Sequence, residues 1–359
     1  MIAMTSRTRA ARPLTFVLGI AALLASGCAR HDGMNGAAAH AQSAQGTVLH
    51  VGYQRGGSLN LLRLRGDLER RLAPKGVTVQ WLNFPAGPQL LEGIGANSVD
   101  IGSAGDTPPI FAQAAGVPLV YVANTPPSPK AEAVGQALIV PKDSPAKTLQ
   151  DLRGKKIAFQ KGSSANYFLV QALGQVGLKY SDVQPTYLSP PDAQAAFASG
   201  SIDGWVIWDP FLSIARHTTG ARILRDGANL PTSGGFYLAS RTFAVEHPDL
   251  VKAVLEEAKK AGDWSHDHSH EAAQILSPDL GLDVPTLEQI VRNGYTTNYR
   301  EITPEVIALQ QKEADAFANI GLIPQKIDVR QATLTPEQYA RLAPAQEPQV
   351  AEKIKEITR

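Results

Sequence analysis

Four short stretches of this 359-residue sequence set small polar or helix-starting residues at the ends of apolar runs. They are Gln54-Arg55-Gly56-Gly57-Ser58, Gly105-Asp106-Thr107-Pro108, Lys161-Gly162-Ser163-Ser164-Ala165-Asn166 and Trp208-Asp209-Pro210. Such a stretch, set between a strand and a helix, offers the unpaired N–H groups and partial positive charge of a helix start. That suits a small anion without requiring an arginine. Ser58, Thr107, Ser163 and Ser164 add hydroxyls that rotate toward sulfonate or phosphate oxygens. Gly56, Gly57, Gly105 and Gly162 let backbone donors come close. Each stretch alone has the composition of ordinary helix capping, but four in one chain ask for more. None carries the Gly-Lys-Ser/Thr phosphate loop or the dinucleotide fingerprint.

Asp106 reads first as the N-cap of a helix opening at Pro108, because a carboxylate facing an anion repels it. The other reading has it meet a cationic or hydroxyl part of the ligand. Trp205, Trp208, Phe236 and Tyr237 stand near strand ends, where aromatic walls would cover an alkyl group. Strand alternation sends Trp205 and Trp208 to opposite faces, so Trp208 is the tryptophan expected at the ligand, with Phe236 beside it. Core packing is the other role open to these rings. His266 and His270 are spaced i,i+4, but no matched partner stands out elsewhere. They read as a solvated helix face, with no metal site and no cofactor.

Helix-length amphipathic segments alternate with the apolar runs from residue 47 onward, which predicts an α/β fold with largely parallel sheets. Strands are expected at 48–53, 77–84, 100–103, 119–123, 156–160, 184–188 and 205–208. Helices are expected between them, and a mostly helical region follows residue 240. Open α/β sheets bind ligands at the carboxyl ends of their strands, which is where the four stretches fall, two in each half. The apolar runs 136–140 and 236–240 bracket the middle of the chain. Read as hinge crossovers, they divide it into lobe one (47–135 plus 241–332) and lobe two (141–235), with a tail at 333–359.

The N-terminus has a different character. Arg7, Arg9 and Arg12 precede an apolar run at 14–24. Its length is about half of what a membrane-spanning helix needs, so residues 1–27 read as a signal peptide. Cys28 is the only cysteine, which rules out an intrachain disulfide. Its position after Leu24-Ala25-Ser26-Gly27 resembles a bacterial lipobox, in which the thiol is lipidated; cleavage after Ala39-His40-Ala41 is the alternative. Residues 28–46 lack a hydrophobic period and read as a flexible tether. Without residues 1–27 the chain carries 31 basic and 33 acidic side chains, so no basic field suggests nucleic acid or an anionic membrane surface as partner.

Several segments together are specific. Val51-Gly52-Tyr53-Gln54-Arg55-Gly56, Phe84-Pro85-Ala86-Gly87-Pro88-Gln89, Ala104-Gly105-Asp106-Thr107-Pro108-Pro109, Ala158-Phe159-Gln160-Lys161-Gly162-Ser163-Ser164 and Trp205-Val206-Ile207-Trp208-Asp209-Pro210 resemble the aliphatic sulfonate-binding proteins of ABC importers. These belong to the nitrate/sulfonate/taurine group of periplasmic binding proteins. The likeness runs from about residue 48 to residue 330. It implies a type II periplasmic-binding fold, two α/β lobes closing over a ligand. It also implies ligand contacts at Gln54, Gly57, Ser58, Asp106, Thr107, Ser163, Ser164, Asn166, Trp208 and Asp209. To these the loop chemistry adds Gly105, Gly162 and Phe236. The implied role is capture of a small sulfonate in the periplasm or cell envelope, by a monomer that delivers it to permease subunits and their ATPase without chemistry of its own. Nitrate, a taurine-like compound and a pyrimidine precursor are alternative cargoes. An enzyme on the same fold is the alternative class, but a desulfinase of that kind needs a cysteine, and the only one here is in the leader.

Overall fold

In the computed structural model, which describes residues 47–128, 135–294 and 299–342, the apolar runs form two five-stranded sheets. The leader, the tether and Cys28 lie outside the described residues. The strands are β1 (Thr47–Tyr53), β2 (Val77–Asn83), β3 (Ile101–Gly105), β4 (Leu119–Thr125), β5 (Gln136–Val140), β6 (Lys156–Phe159), β7 (Gln184–Tyr187), β8 (Gly204–Trp208), β9 (Arg222–Asp226) and β10 (Gly235–Ser240). The helices of the first half are α1 (Ser58–Arg65), α2 (Asp67–Leu72), α3 (Gly87–Gly95), α4 (Thr107–Ala114), α5 (Ser164–Gln175), α6 (Pro190–Ala198) and α7 (Phe211–Thr219). Those of the second are α8 (Arg241–Glu246), α9 (Pro248–Asp267), α10 (Ser269–Leu280), α11 (Val284–Arg292), α12 (Pro304–Asn319) and α13 (Pro336–Leu342).

The two sheets share one topology. The first is ordered β2-β1-β3-β10-β4, with β1, β2 and β3 parallel and β10 antiparallel between β3 and β4. The second is ordered β7-β6-β8-β5-β9, with β6, β7 and β8 parallel and β5 antiparallel between β8 and β9. Each antiparallel strand is the first that the chain forms after leaving the other sheet. The runs 136–140 and 236–240, expected as crossovers, are thus full members of single sheets. They are bonded along both edges and largely buried, which a free connector is not. The chain passes between the sheets just ahead of them, between β4 and β5 and again at 227–234.

Helices α1, α9, α10 and α11 cover one face of the first sheet, around Leu49, Leu62 and Val254. Helices α3, α4 and α12 cover the other, around Leu90, Ile110 and Phe317. The second sheet is buried likewise, with α5 against Ile157 and Phe159 on one face and α6 and α7 against Trp205 and Ile207 on the other. Of the tail, α13 is anchored by buried Leu342 and by Tyr339, whose hydroxyl donates to the Tyr121 carbonyl at 2.7 Å.

The polar helix expected through His266 and His270 is interrupted at His268. His268 stacks on Trp264, and His270 turns to Glu288 at 2.8 Å, so the i,i+4 pair does not share a helix. Among the described residues no cluster of three or more His, Cys, Asp and Glu could hold a metal, and no helix is long and apolar enough to cross a membrane.

Candidate functional site

The second and third loops meet across the lobes, and Arg55 of the first lies against Phe211, directly after the fourth. The second and third meet at Gly105. A Cβ built there would lie 1.9 Å from Ser164 Oγ, and the Ser164 hydroxyl is bonded to the Asp106 carboxyl. Gly162, at φ 70°, backs onto Phe111 of the other lobe, whose ring would be 3.2 Å from a Cβ. Glycine at 105 and 162 therefore reflects close approach of the opposite lobe.

Asp106 is buried at the centre of this contact. One oxygen accepts from the Thr107 N–H at 3.0 Å, which bears out its reading as the N-cap of α4. The other accepts from the Thr232 hydroxyl at 2.5 Å. Burial raises the pKa of this carboxyl, and the bonds from Thr232, Ser164 and Thr107 oppose the rise. Thr107 in turn donates its hydroxyl to Glu313 on α12. Glu313 is almost wholly buried, and its pKa stands well above the usual range, first through burial and second through Asp106 beside it. One turn earlier on α12, the amide of Gln310 donates to the Asp106 carbonyl and to the Tyr121 hydroxyl. Its oxygen accepts from Ser233 at 2.7 Å. Helix α12 thus grips both the Asp106-Thr107 loop and the second passage between the sheets.

In the first loop Gln54 donates to the Ser103 carbonyl at 2.9 Å, and buried Ser58 is hydrogen-bonded to Tyr237. Gly57, at φ 91°, opens α1 and brings no side chain to cap it. In the third loop Ser163 donates its hydroxyl to the Gln160 carbonyl at 2.7 Å. Asn166 accepts from the Gly162 N–H at 3.2 Å and donates to Tyr180 at 3.4 Å. Both side chains shape their own loop, while Ser164 reaches across. The start of α5 also lacks a side-chain cap.

In the fourth loop Asp209 accepts from the backbone and hydroxyl of Ser213 at 3.0 and 2.7 Å. Its helix begins at Phe211, one residue later than the Asp-Pro pattern suggests. Burial raises the Asp209 pKa against these bonds. Trp208 is partly exposed and packs between the two cores of its lobe, whereas Trp205 is fully buried. Phe236 corrects an expectation. It is fully buried, edge-on to Tyr121 with centroids 4.7 Å apart, and belongs to the first lobe's core. Full burial of such a ring is worth roughly 1.5–3 kcal/mol, which holds it there.

Thr232, Gln310 and Glu313 were not anticipated. Thr232 sits in Pro231-Thr232-Ser233-Gly234-Gly235, whose small polar composition matches the four loops and was a usable signal. Gln310 and Glu313 sit among Gln311, Lys312 and Asp315, and nothing there distinguishes them.

A family pattern described as NMT1/THI5 like matches residues 73–272. A relative from Escherichia coli (strain K12), named for aliphatic sulfonates binding, is 43% identical over 291 residues, 81% of this chain and 90% of its own length. The chain belongs to the aliphatic sulfonate-binding protein family. Two solved members of that family superpose on it. The alkanesulfonate-binding protein SsuA from Xanthomonas axonopodis pv. citri, bound to MOPS, has a TM-score of 0.76 and 38% identity over 80% of this chain and 98% of its own. The periplasmic aliphatic sulphonate binding protein SsuA from Escherichia coli has a TM-score of 0.71 and 40% identity over 84% and 94%. The type II periplasmic-binding fold expected from the sequence is the fold of these family members.

Proposed function

We propose that this protein is an extracytoplasmic receptor that captures small aliphatic sulfonates between its lobes and delivers them to an ABC importer, with no covalent step. One observation carries the site. Of the four loops, those at Asp106 and Asp209 turn a carboxylate onto an N–H of the helix that follows, while the residues before α1 and α5 contribute no side-chain cap. These two starts lie in opposite lobes, so closure brings the positive ends of both helices toward one anion. Ser58, Ser164, Gln54, Gly57 and Thr107 frame that position, Gly105 and Gly162 keep it narrow, and Trp208 covers the alkyl part. Burial raises the pKa of Asp106 and Glu313, so each carries less negative charge near the ligand than an ordinary carboxylate would at the same pH. The passage at 227–234 acts as part of the hinge. Water leaves as the lobes close, and neutral dipoles then bind the anion more strongly than they would in solvent.

The leader supports export, with Cys28 as a lipid anchor and the folded part as a monomer in the periplasm or cell envelope. Calorimetry with methane-, ethane- and longer alkanesulfonates, taurine, sulfate, phosphate and nitrate tests the cargo. Saturable heat is expected with the alkanesulfonates. Heat with nitrate or sulfate and none with any sulfonate would sink the assignment. Ser164→Ala removes the hydroxyl that crosses the cleft and should weaken sulfonate binding about tenfold, the effect of one buried hydrogen bond. Ser163→Ala, whose hydroxyl is spent on Gln160, should change affinity by less than about threefold.

A further inference from the structure

We infer that Arg55 and Phe211 form a clasp that holds the lobes together, with α7 as the element by which the second lobe grips the first. The inference rests on the reading of two closing lobes, not on the identity of the cargo. Arg55 belongs to the first loop, and Phe211 opens α7 directly after the fourth. The guanidinium lies over the Phe211 ring, 5.6 Å from its centroid, within the range of cation–π attraction.

Arg55 is held in place by bonds within its own lobe. Its Nη2 donates to the carbonyls of Asp279 and Leu280 at 3.2 and 2.9 Å, at the end of α10, where the helix dipole favours a cation. Buried Asn60 donates to the Arg55 carbonyl at 3.3 Å and to the Asp279 carboxylate at 3.1 Å. Arg63 adds a bond to the same carboxylate at 2.6 Å. The first lobe thus presents a fixed cationic face.

Two more observations lie along the same side of α7. Ile214, three residues after Phe211, packs into the core cluster of the first sheet. His217, three further on, is within electrostatic reach of Asp283 at the start of α11. Residues three apart share a helix face, so that face of α7 lies against the α10–α11 end of the first lobe. Phe211 also belongs to the core of its own lobe, 6.4 Å from Trp205. Any displacement of the Trp208-Asp209-Pro210 loop therefore carries the ring with it. The clasp couples that loop to closure without touching the ligand, which makes Arg55 and Phe211 positioning residues.

The test compares wild type, Phe211→Leu, Arg55→Gln, the double variant and Arg55→Lys. Small-angle X-ray scattering reads the radius of gyration without ligand, and stopped-flow tryptophan fluorescence reads the dissociation of ethanesulfonate. Phe211→Leu and Arg55→Gln should each expand the ligand-free protein and speed dissociation about three- to tenfold, with association changed less than about twofold. The double variant should be no faster than the stronger single one. Arg55→Lys, which keeps the cation, should recover most of the loss. Unchanged scattering in both single variants overturns the clasp, and so do rate effects that simply multiply in the double. If ethanesulfonate fails to bind the wild type while the scattering shifts as expected, the cargo reading falls and the clasp stands.

Discussion

Gly105→Ala should cost about 2–3 kcal/mol of sulfonate binding, on the order of a hundredfold in Kd, while leaving the folded lobes intact. The added methyl meets Ser164 Oγ at 1.9 Å and Ser164 Cβ at 3.3 Å, and both atoms belong to the other lobe. The hydroxyl can turn aside, but it then gives up its bond to Asp106, and the Cβ contact stays tight. The obstruction therefore acts on closure and not on either core. Calorimetry and thermal melting separate the two effects, since the expected result pairs a large loss of affinity with a melting temperature within about 2 °C of wild type. Gly105→Ala combined with Ser164→Gly removes the obstructing atoms and should recover much of the affinity. If Gly105→Ala binds within about twofold of wild type, the lobes do not close in the arrangement described.

The parts of the fold that were legible are those that local periodicity controls. Runs such as 119–123 are short and apolar enough to read as buried strands, and Gly/Ser loops after such runs mark helix starts. What periodicity does not contain is pairing. A five-residue apolar run looks the same whether it crosses between lobes or lies antiparallel inside one sheet, so 136–140 and 236–240 were placed one step too far along the chain. The break at His268 is similar, because it depends on stacking against Trp264 and not on a glycine or proline. Parity along β10 sends Phe236 and Tyr237 to opposite faces, but both faces are core, which the strand's own residues do not reveal. In the site, donors on local loops were readable from composition. The groups that hold those loops were not, because Gln310 and Glu313 arrive from about 200 residues downstream and only the topology brings them to Asp106.

That buried pair leads to a pH dependence of stability with a definite sign. Asp106 and Glu313 both have folded pKa values raised by burial above their ordinary values of 3.8 and 4.5, and each ionised form would repel the other. Above those ordinary values the unfolded chain releases protons that the folded protein still holds. Stability present below this window is therefore lost as pH rises through it toward the raised folded values. The neighbours facing the pair are the hydroxyls of Thr107, Thr232, Ser164 and Tyr121 and, at longer range, Tyr167, whose pKa burial pushes to about 12. None of these carries a positive charge to offset ionisation. Glu313→Gln replaces the carboxyl by a neutral group of nearly the same shape, and its amide oxygen still accepts from Thr107. The variant should match wild type near pH 4, melt about 2–4 °C higher at pH 8 and show a flatter slope between, in line with roughly 1–2 kcal/mol removed from the cost of ionisation. Sulfonate affinity should follow the same course, falling with pH in wild type and less steeply in the variant, because an ionised pair behind the Asp106 loop repels the anion. Thermal melting across pH 4–9 checks the first expectation and calorimetry the second. A wild-type slope that survives Glu313→Gln unchanged would place the titrating group elsewhere.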